Sequence, residues 1–158
     1  MCFLLTVLVL FSFTGCDDSE TVSGEYEIYY FNMDKTKIEP EEYDSTGATG
    51  EVLVKELLLR LQSEPHGSKL RRTIPENISV LGVKSSGVQL TVDFSQEYSS
   101  LSVAEEVLIR AAVVRTLLQC PEYSLVNFTV NSEPLKTKDG SLVGNMTMIV
   151  LLRIRERR

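Results

Sequence analysis

The sequence predicts an α+β fold, a two-layer sandwich in which two helices pack on one face of a mixed sheet. Segments with the strand pattern and segments with the helix pattern alternate along the chain in the order β-α-β-β-α-β-β. Helices that cross over between strands pack against a sheet face. Of the 158 residues, 43% are hydrophobic and 24% are charged, a mixture typical of one folded domain.

The first half of the domain contains a strand, a polar connection and a helix. Residues 25–31 are rich in aromatic and β-branched side chains, as strands are. The polar stretch that follows, through Pro40 to the turn residues before Gly50, is predicted to be a connection. Residues 51–62 are predicted to be a helix because apolar side chains recur on one stripe. That stripe consists of Leu53, Val54, Leu57, Leu58 and Leu61.

The second half is predicted to contain four strands and one helix. Residues 78–83 and 88–94 form a hairpin, and the alternation in the second strand indicates one buried and one wet face. Ser102 and Glu105 match a capping box, which begins a helix that ends near Cys120. Strands over residues 123–130 and 146–154 complete the order. The helix is expected to bury a stripe of Val103, Val107, Ala111, Val114 and Leu118.

The N-terminal segment, residues 1–15, is predicted to be a signal peptide outside the fold. It contains no charged side chain, and an apolar run of this length is too short to cross a hydrocarbon core of about 30 Å as a helix. Residues Phe13-Thr14-Gly15-Cys16 resemble a bacterial lipobox. That resemblance implies cleavage after Gly15 and a lipid on Cys16, with a polar tether over residues 16–24. A plain secretory signal and an uncleaved anchor are the alternatives.

The residue types suited to catalysis or metal binding are few, and we predict no catalytic, cofactor-binding or metal site. Three cysteines without a CxxC spacing and a single histidine exclude the usual zinc and iron–sulfur sites. His66 lies in a Pro-Gly loop without a catalytic motif around it. Asp93 and Glu97 are the best carboxylate pair, and hydrogen bonding in turns and caps is their expected role. Cys120 is expected to be a packed thiol with a raised pKa, because the carboxyl end of a helix is negative.

The balance of charge restricts the partners of the chain. A net charge of −6 disfavours binding to nucleic acid, which depends on cations that neutralise phosphates. Lys69, Arg71 and Arg72 cluster in one loop and could hold an anionic group, but a solvated loop is the default interpretation. A small-molecule ligand is not expected.

Short motifs of the domain follow one another as they do in a known family. Ile74-Pro75-Glu76-Asn77 is followed by residues 79–83, by residues 92–98 and by a helix that contains Arg115-Thr116-Leu117-Leu118. In order and spacing these segments resemble the GerMN domain, a sporulation and spore germination domain, over residues 25–152. The resemblance implies a single GerMN-like domain over residues 25–155, with a fold similar to that of ring-building domains.

The resemblance also implies a function. We expect a non-enzymatic lipoprotein, anchored on the extracytoplasmic face of the cell membrane, that assists the assembly of a sporulation or germination complex. Its expected partners are membrane lipid, through acylated Cys16, and envelope or sporulation proteins, a second copy of itself included. Contact would occur by surface packing or by strand addition. The alternative is a lipoprotein that binds a ligand or wall polymer, or modulates a sensor protein, outside sporulation. Its binding patch would be the exposed rings of Tyr26, Tyr29, Tyr30 and Phe31.

Overall fold

The computed structural model describes residues 25–148. The predicted signal peptide, the tether and Cys16 therefore lie outside the described residues. The described elements follow in the order β1 (Tyr26–Asn32), β2 (Ile38–Tyr43), α1 (Gly50–Leu61), β3 (Leu70–Arg71), β4 (Val80–Ser86), β5 (Gln89–Phe94), a 3-10 helix (Gln96–Ser100), α2 (Val103–Leu117), β6 (Leu125–Val130) and β7 (Glu133–Pro134).

The strands form two sheets, and two helices pack with them, so the predicted α+β class with two helices is confirmed. One sheet has the order β2-β1-β3, and the other has the order β4-β5-β6-β7. β5 and β6 are parallel, with α2 as their crossover, and the other pairs are antiparallel. The prediction of one mixed sheet is wrong in this respect. β1 does not join the larger sheet, because Thr116 of α2 and Gln119 just beyond it bond to the backbone along one side of β1.

The segment predicted to be a polar connection contains strand β2. It pairs with β1 in a continuous antiparallel register from Tyr26 opposite Tyr43 to Phe31 opposite Ile38. The sequence of β2, IEPEEY, lacks a simple apolar alternation and includes Pro40, which strands accept at a sheet edge. Its pairing therefore depends on the neighbouring strand β1 more than on its own side chains.

The predicted last strand, residues 146–154, is not confirmed. Met146 forms a single antiparallel bridge with Val126, and the backbone of Met148 is helical. Residues 149–154 lie outside the described residues.

The two helices bury their side chains differently. In α1 the predicted stripe is confirmed, because all five of its side chains are buried. In α2 the capping box at Ser102 and Glu105 is confirmed. The predicted stripe is confirmed only in part: Val114 is buried, Val107, Ala111 and Leu118 are half-buried, and Val103 is 57% exposed. α2 contacts both β1 and α1, so its buried residues do not form a single stripe. Its buried residues are Glu106, Ile109, Ala112, Val113, Val114, Thr116 and Leu117.

A single core joins both sheets to both helices. Aromatic rings stack at one end of it: Phe94 lies 4.5 Å from Tyr98 and 6.2 Å from Phe128, measured between ring centroids. Such pairs contribute about 0.5–1.5 kcal/mol beyond their buried area. Among residues 25–148, no helix has the length and apolar composition needed to cross a membrane.

Candidate functional site

His66, the one histidine of the chain, lies on the surface of the loop after α1. Its side chain is 82% exposed, and its Nδ1 atom lies 3.6 Å from Oε1 of Glu41. The same carboxylate accepts hydrogen bonds from the backbone N–H groups of His66 at 3.1 Å and Gly67 at 2.6 Å. Glu41 therefore fastens the loop to β2, and these contacts are structural.

Asp93 connects the end of β5 to the turn after β6. Its Oδ1 atom accepts hydrogen bonds from the Thr129 hydroxyl at 2.7 Å and the Ser132 backbone N–H at 2.9 Å, and its Oδ2 atom accepts one from the Ser132 hydroxyl at 3.2 Å. Burial alone would raise the pKa of Asp93, but these donors hold it below its ordinary value. The expected turn role agrees with these contacts.

Glu97 is exposed and has a partner of its own. A hydrogen bond from the Ser95 side chain lowers the pKa of the Glu97 carboxyl. Asp93 is held by Thr129 and Ser132, so the structure does not join the two carboxylates in one site.

Cys120 is fully buried just beyond α2. Burial raises the pKa of its thiol to about 11, and the charge of Glu122 adds to the shift. The predicted direction is confirmed, although burial is the main cause in place of the helix dipole. The thiolate is the reactive form, so this cysteine is a packing residue.

The basic cluster of the loop before Ile74 does not form one site. Arg72 pairs with Glu64 at 3.2 Å and with Glu76 at 3.8 Å. Arg71 belongs to β3, where it lies opposite Phe31, and Lys69 is exposed. The charge of Arg72 is therefore matched within the domain.

The aromatic residues of β1 are packed inside the domain. Tyr29 is 5% exposed, Tyr30 0% and Phe31 1%, and Tyr26 is half-buried. The Tyr30 hydroxyl donates to the carbonyl of Arg60 at 2.9 Å, and the guanidinium of Arg115 lies 4.0 Å from the centre of the Tyr29 ring. These rings are not an exposed patch, and the ligand-binding alternative loses the feature on which it depended.

A polar cleft, which the sequence did not indicate, lies at the carboxyl ends of the parallel strands β5 and β6. It consists of two adjoining cavities of about 330 and 170 Å³ that share Ser99, Leu135 and Lys136. Lys138 lines the smaller cavity, and its Nζ atom donates to the carbonyl of Ser99 at 3.0 Å. Clefts outside the carboxyl ends of parallel strands are a common place for ligands.

Buried polar side chains lie at the wall of the smaller cavity. Glu106 lines it and pairs with Arg110 at 3.5 Å, and the two side chains are 8% and 11% exposed. Tyr98 also lines it, and its buried hydroxyl lies beside the Arg110 side chain. Glu106 and Arg110 are four residues apart on α2, but this spacing usually marks an exposed ion pair. The sequence therefore gave no sign that the pair is buried.

The cleft has a mixed lining, with apolar side chains and the carboxylates of Glu106 and Glu133 beside neutral and cationic groups. Its lining offers amide, hydroxyl and ammonium groups from Gln96, Ser99, Asn131, Lys136 and Lys138. Among residues 25–148, no group of three or more His, Cys, Asp or Glu side chains is placed to hold a metal ion.

Comparison with known proteins identifies relatives of this domain. The Germane family model, described as sporulation and spore germination, matches residues 27–136. Among solved structures, the first GerMN domain of the sporulation protein GerM from Bacillus subtilis is similar, with a TM-score of 0.62 and 19% identity over 78% of this chain and 97% of that one. None of the curated protein sequences matches this chain.

Two further structures share the fold. The tandem GerMN domains of the same Bacillus subtilis protein give a TM-score of 0.60 at 20% identity over 77% of this chain, which spans 45% of the tandem. A candidate lipoprotein from Clostridium perfringens gives a TM-score of 0.53 at 19% identity, with 80% of this chain and 89% of that one covered. Similarities at this level of identity show the fold.

Proposed function

Since this chain belongs to the Germane family of sporulation and spore germination domains, we propose that it is a non-enzymatic lipoprotein of the bacterial envelope. Its domain assists the assembly of a sporulation or germination complex on the extracytoplasmic face of the cell membrane. The family match over residues 27–136 is the observation on which this proposal depends, because it covers both helices and every described strand apart from the first residue of β1.

The proposed anchor is a lipid on Cys16, added with cleavage after Gly15. An uncharged apolar segment ends directly before Cys16, and a candidate lipoprotein shares the fold of the domain. Acyl chains bind a bilayer with about 0.8 kcal/mol for each buried CH₂ group, and stable anchoring needs more than one chain. The lipid would hold the domain near envelope proteins and raise the effective concentration of weak contacts.

The test is the yield of heat-resistant spores from a strain that lacks this protein. The strain is complemented with the wild type, with Cys16→Ala and with Cys2→Ala, a matched control whose cysteine lies in the predicted signal peptide. We expect a large loss of yield that the wild type and Cys2→Ala restore and Cys16→Ala does not. A normal yield without the protein would contradict a role in sporulation, and full rescue by Cys16→Ala would contradict the anchor.

Binding of a wall polymer or another ligand is a second candidate function, and the polar cleft is the observation that favours it. Soluble wall fragments would be titrated into the isotope-labelled full chain, and backbone amide shifts would be followed by NMR. Shifts confined to Ser99 and Leu135, reduced in Lys136→Gln but unchanged in Lys55→Gln, would support this function. The absence of shifts at saturating concentrations would contradict it.

A further inference from the structure

Along one side of β1, side chains make most of the hydrogen bonds to the backbone that a neighbouring strand would otherwise make. β3 pairs with β1 only at Phe31 and Asn32. The backbone N–H of Asn32 donates to Lys37 on the β2 side, and bonding in an antiparallel pair alternates along the strand. The backbone groups of Glu27 and Tyr29 therefore point to the opposite side, where the described strands leave a gap.

Gln119, just beyond α2, fills the first part of that gap. Its Oε1 atom accepts a hydrogen bond from the Glu27 N–H at 2.8 Å, and its Nε2 atom donates to the Glu27 carbonyl at 2.7 Å. A neighbouring strand residue would make the same two bonds. Nε2 also lies 3.1 Å from the carbonyls of Arg115 and Thr116, which fixes the amide against the end of the helix.

Two threonines fill the next position. Thr116 accepts a hydrogen bond from the Tyr29 N–H at 3.2 Å, and Thr73 donates to the Tyr29 carbonyl at 2.7 Å. Both threonines are 0% exposed. A buried polar side chain is stable only with hydrogen bonds, so these contacts account for two buried hydroxyls and two backbone groups together.

We infer that Gln119, Thr116 and Thr73 form an edge cap, a set of side chains that closes β1 against strand addition from another chain. Open strand edges are templates for pairing, and folded proteins cover them. The edge cap is the cover on this side of the three-stranded sheet. The edge cap would restrict how any partner contacts the domain, whichever envelope process the domain serves.

Two of the edge strands, β2 and β4, carry covers of a similar kind. On β2, the alternation that directs Asn32 toward Lys37 turns Pro40 outward, and proline offers no N–H to an added strand. On β4, the Ser85 N–H donates to Glu51 of α1 at 3.2 Å, and the Val80 N–H donates to Gln62, just beyond α1, at 3.4 Å. These covers disfavour strand addition at β1, β2 and β4, so we expect partners to contact faces and loops of the domain.

The test replaces Gln119 in the full chain, purified in a non-ionic detergent. Gln119→Leu keeps the size of the side chain and removes both hydrogen bonds to Glu27. We expect the Glu27 amide to exchange about tenfold faster with deuterium, since its protecting bond is lost. Sedimentation velocity should show association that rises with concentration. Lys69→Leu, which adds an exposed leucine in the loop after α1, is the control and should change neither result.

A second variant covers the case in which Gln119→Leu does not fold. Gln119→Glu accepts from the Glu27 N–H but can donate to its carbonyl only when the carboxyl is protonated. Association should therefore occur near pH 7 and disappear below the pKa of the new carboxyl. A folded Gln119→Leu that stays monomeric with unchanged exchange at Glu27 would overturn the inference, as would Gln119→Glu association that is independent of pH.

Discussion

The carboxylate of Asp93 bonds the backbone N–H of Ser132 at 2.9 Å and so connects the end of β5 to the turn between β6 and β7. Asn131 and Ser132 have positive φ angles of 49° and 66°, a backbone geometry that favours glycine. The Asp93 carboxylate accepts from both the backbone and the hydroxyl of Ser132. The left-handed turn is thus stabilised by a side chain on the neighbouring strand.

Asp93→Asn should destabilise the domain by about 1–2 kcal/mol, because the amide NH₂ cannot accept the hydrogen bonds that one carboxylate oxygen now receives. Urea unfolding followed by circular dichroism measures the free energy of unfolding. Asp34→Asn, at an exposed position in the turn between β1 and β2, is the control and should change it by less than about 0.5 kcal/mol. Equal effects of the two variants would refute a special role for the Asp93 bonds.

The same carboxylate should make the domain sensitive to acid. The pKa of Asp93 in the folded chain lies below its ordinary value of 3.8. A group with a lowered pKa stabilises the fold at pH values above its unfolded pKa, and that contribution is lost as pH falls toward and through the folded pKa. Stability measured from pH 6 to pH 2 should fall more steeply in the wild type than in Asp93→Asn. Parallel curves for the two proteins would contradict this prediction.

The part of the fold that the sequence predicted correctly depends on local patterns. The leucines of α1 recur on one stripe opposite polar positions, so Leu57 could be assigned to the core without knowledge of its neighbours. The capping box of α2 is equally local, because Ser102 and Glu105 satisfy each other's backbone groups. The physical cause of each of these helical features lies within a short stretch of sequence, so it could be recognised without the rest of the fold.

The part that was missed depends on contacts between distant segments. β2 is a strand because β1 lies beside it, and the polar sequence around Pro40 does not indicate a strand by itself. The buried face of α2 is set by β1 and α1, which are remote in sequence. The polar cleft joins the 3-10 helix to Lys136 and Lys138, so it exists only after the strands between them have paired.

Cys120 should be unreactive in the folded protein and reactive once it unfolds. The thiol is buried and its pKa is about 11, so at pH 8 only a small fraction is thiolate. In a chain with Cys2→Ala and Cys16→Ala, labelling by a water-soluble disulfide reagent should be slow and should accelerate across the urea transition. Fast labelling without urea would show that the thiol is accessible.

The same thiol should make stability depend on pH in the alkaline range. Because the folded pKa of Cys120 is raised above the ordinary value of 9.0, the stability that the neutral thiol contributes is present below pH 9 and is lost as pH rises through 11.

Removing one partner of the buried pair Glu106 and Arg110 should lower the free energy of unfolding strongly. Removing both charges together should lower it much less. Arg110→Met alone leaves the Glu106 carboxylate buried without its cation, and we expect a loss of about 3 kcal/mol in the free energy of unfolding. The double variant Glu106→Gln with Arg110→Met removes both charges and should recover most of that loss. Lys55→Met, which breaks the exposed pair with Glu51, is the control and should cost less than about 0.5 kcal/mol. A double-mutant cycle from urea unfolding measures the coupling energy. Additive effects of the two substitutions would mean that the charges do not depend on each other and that the cleft wall is held by packing alone.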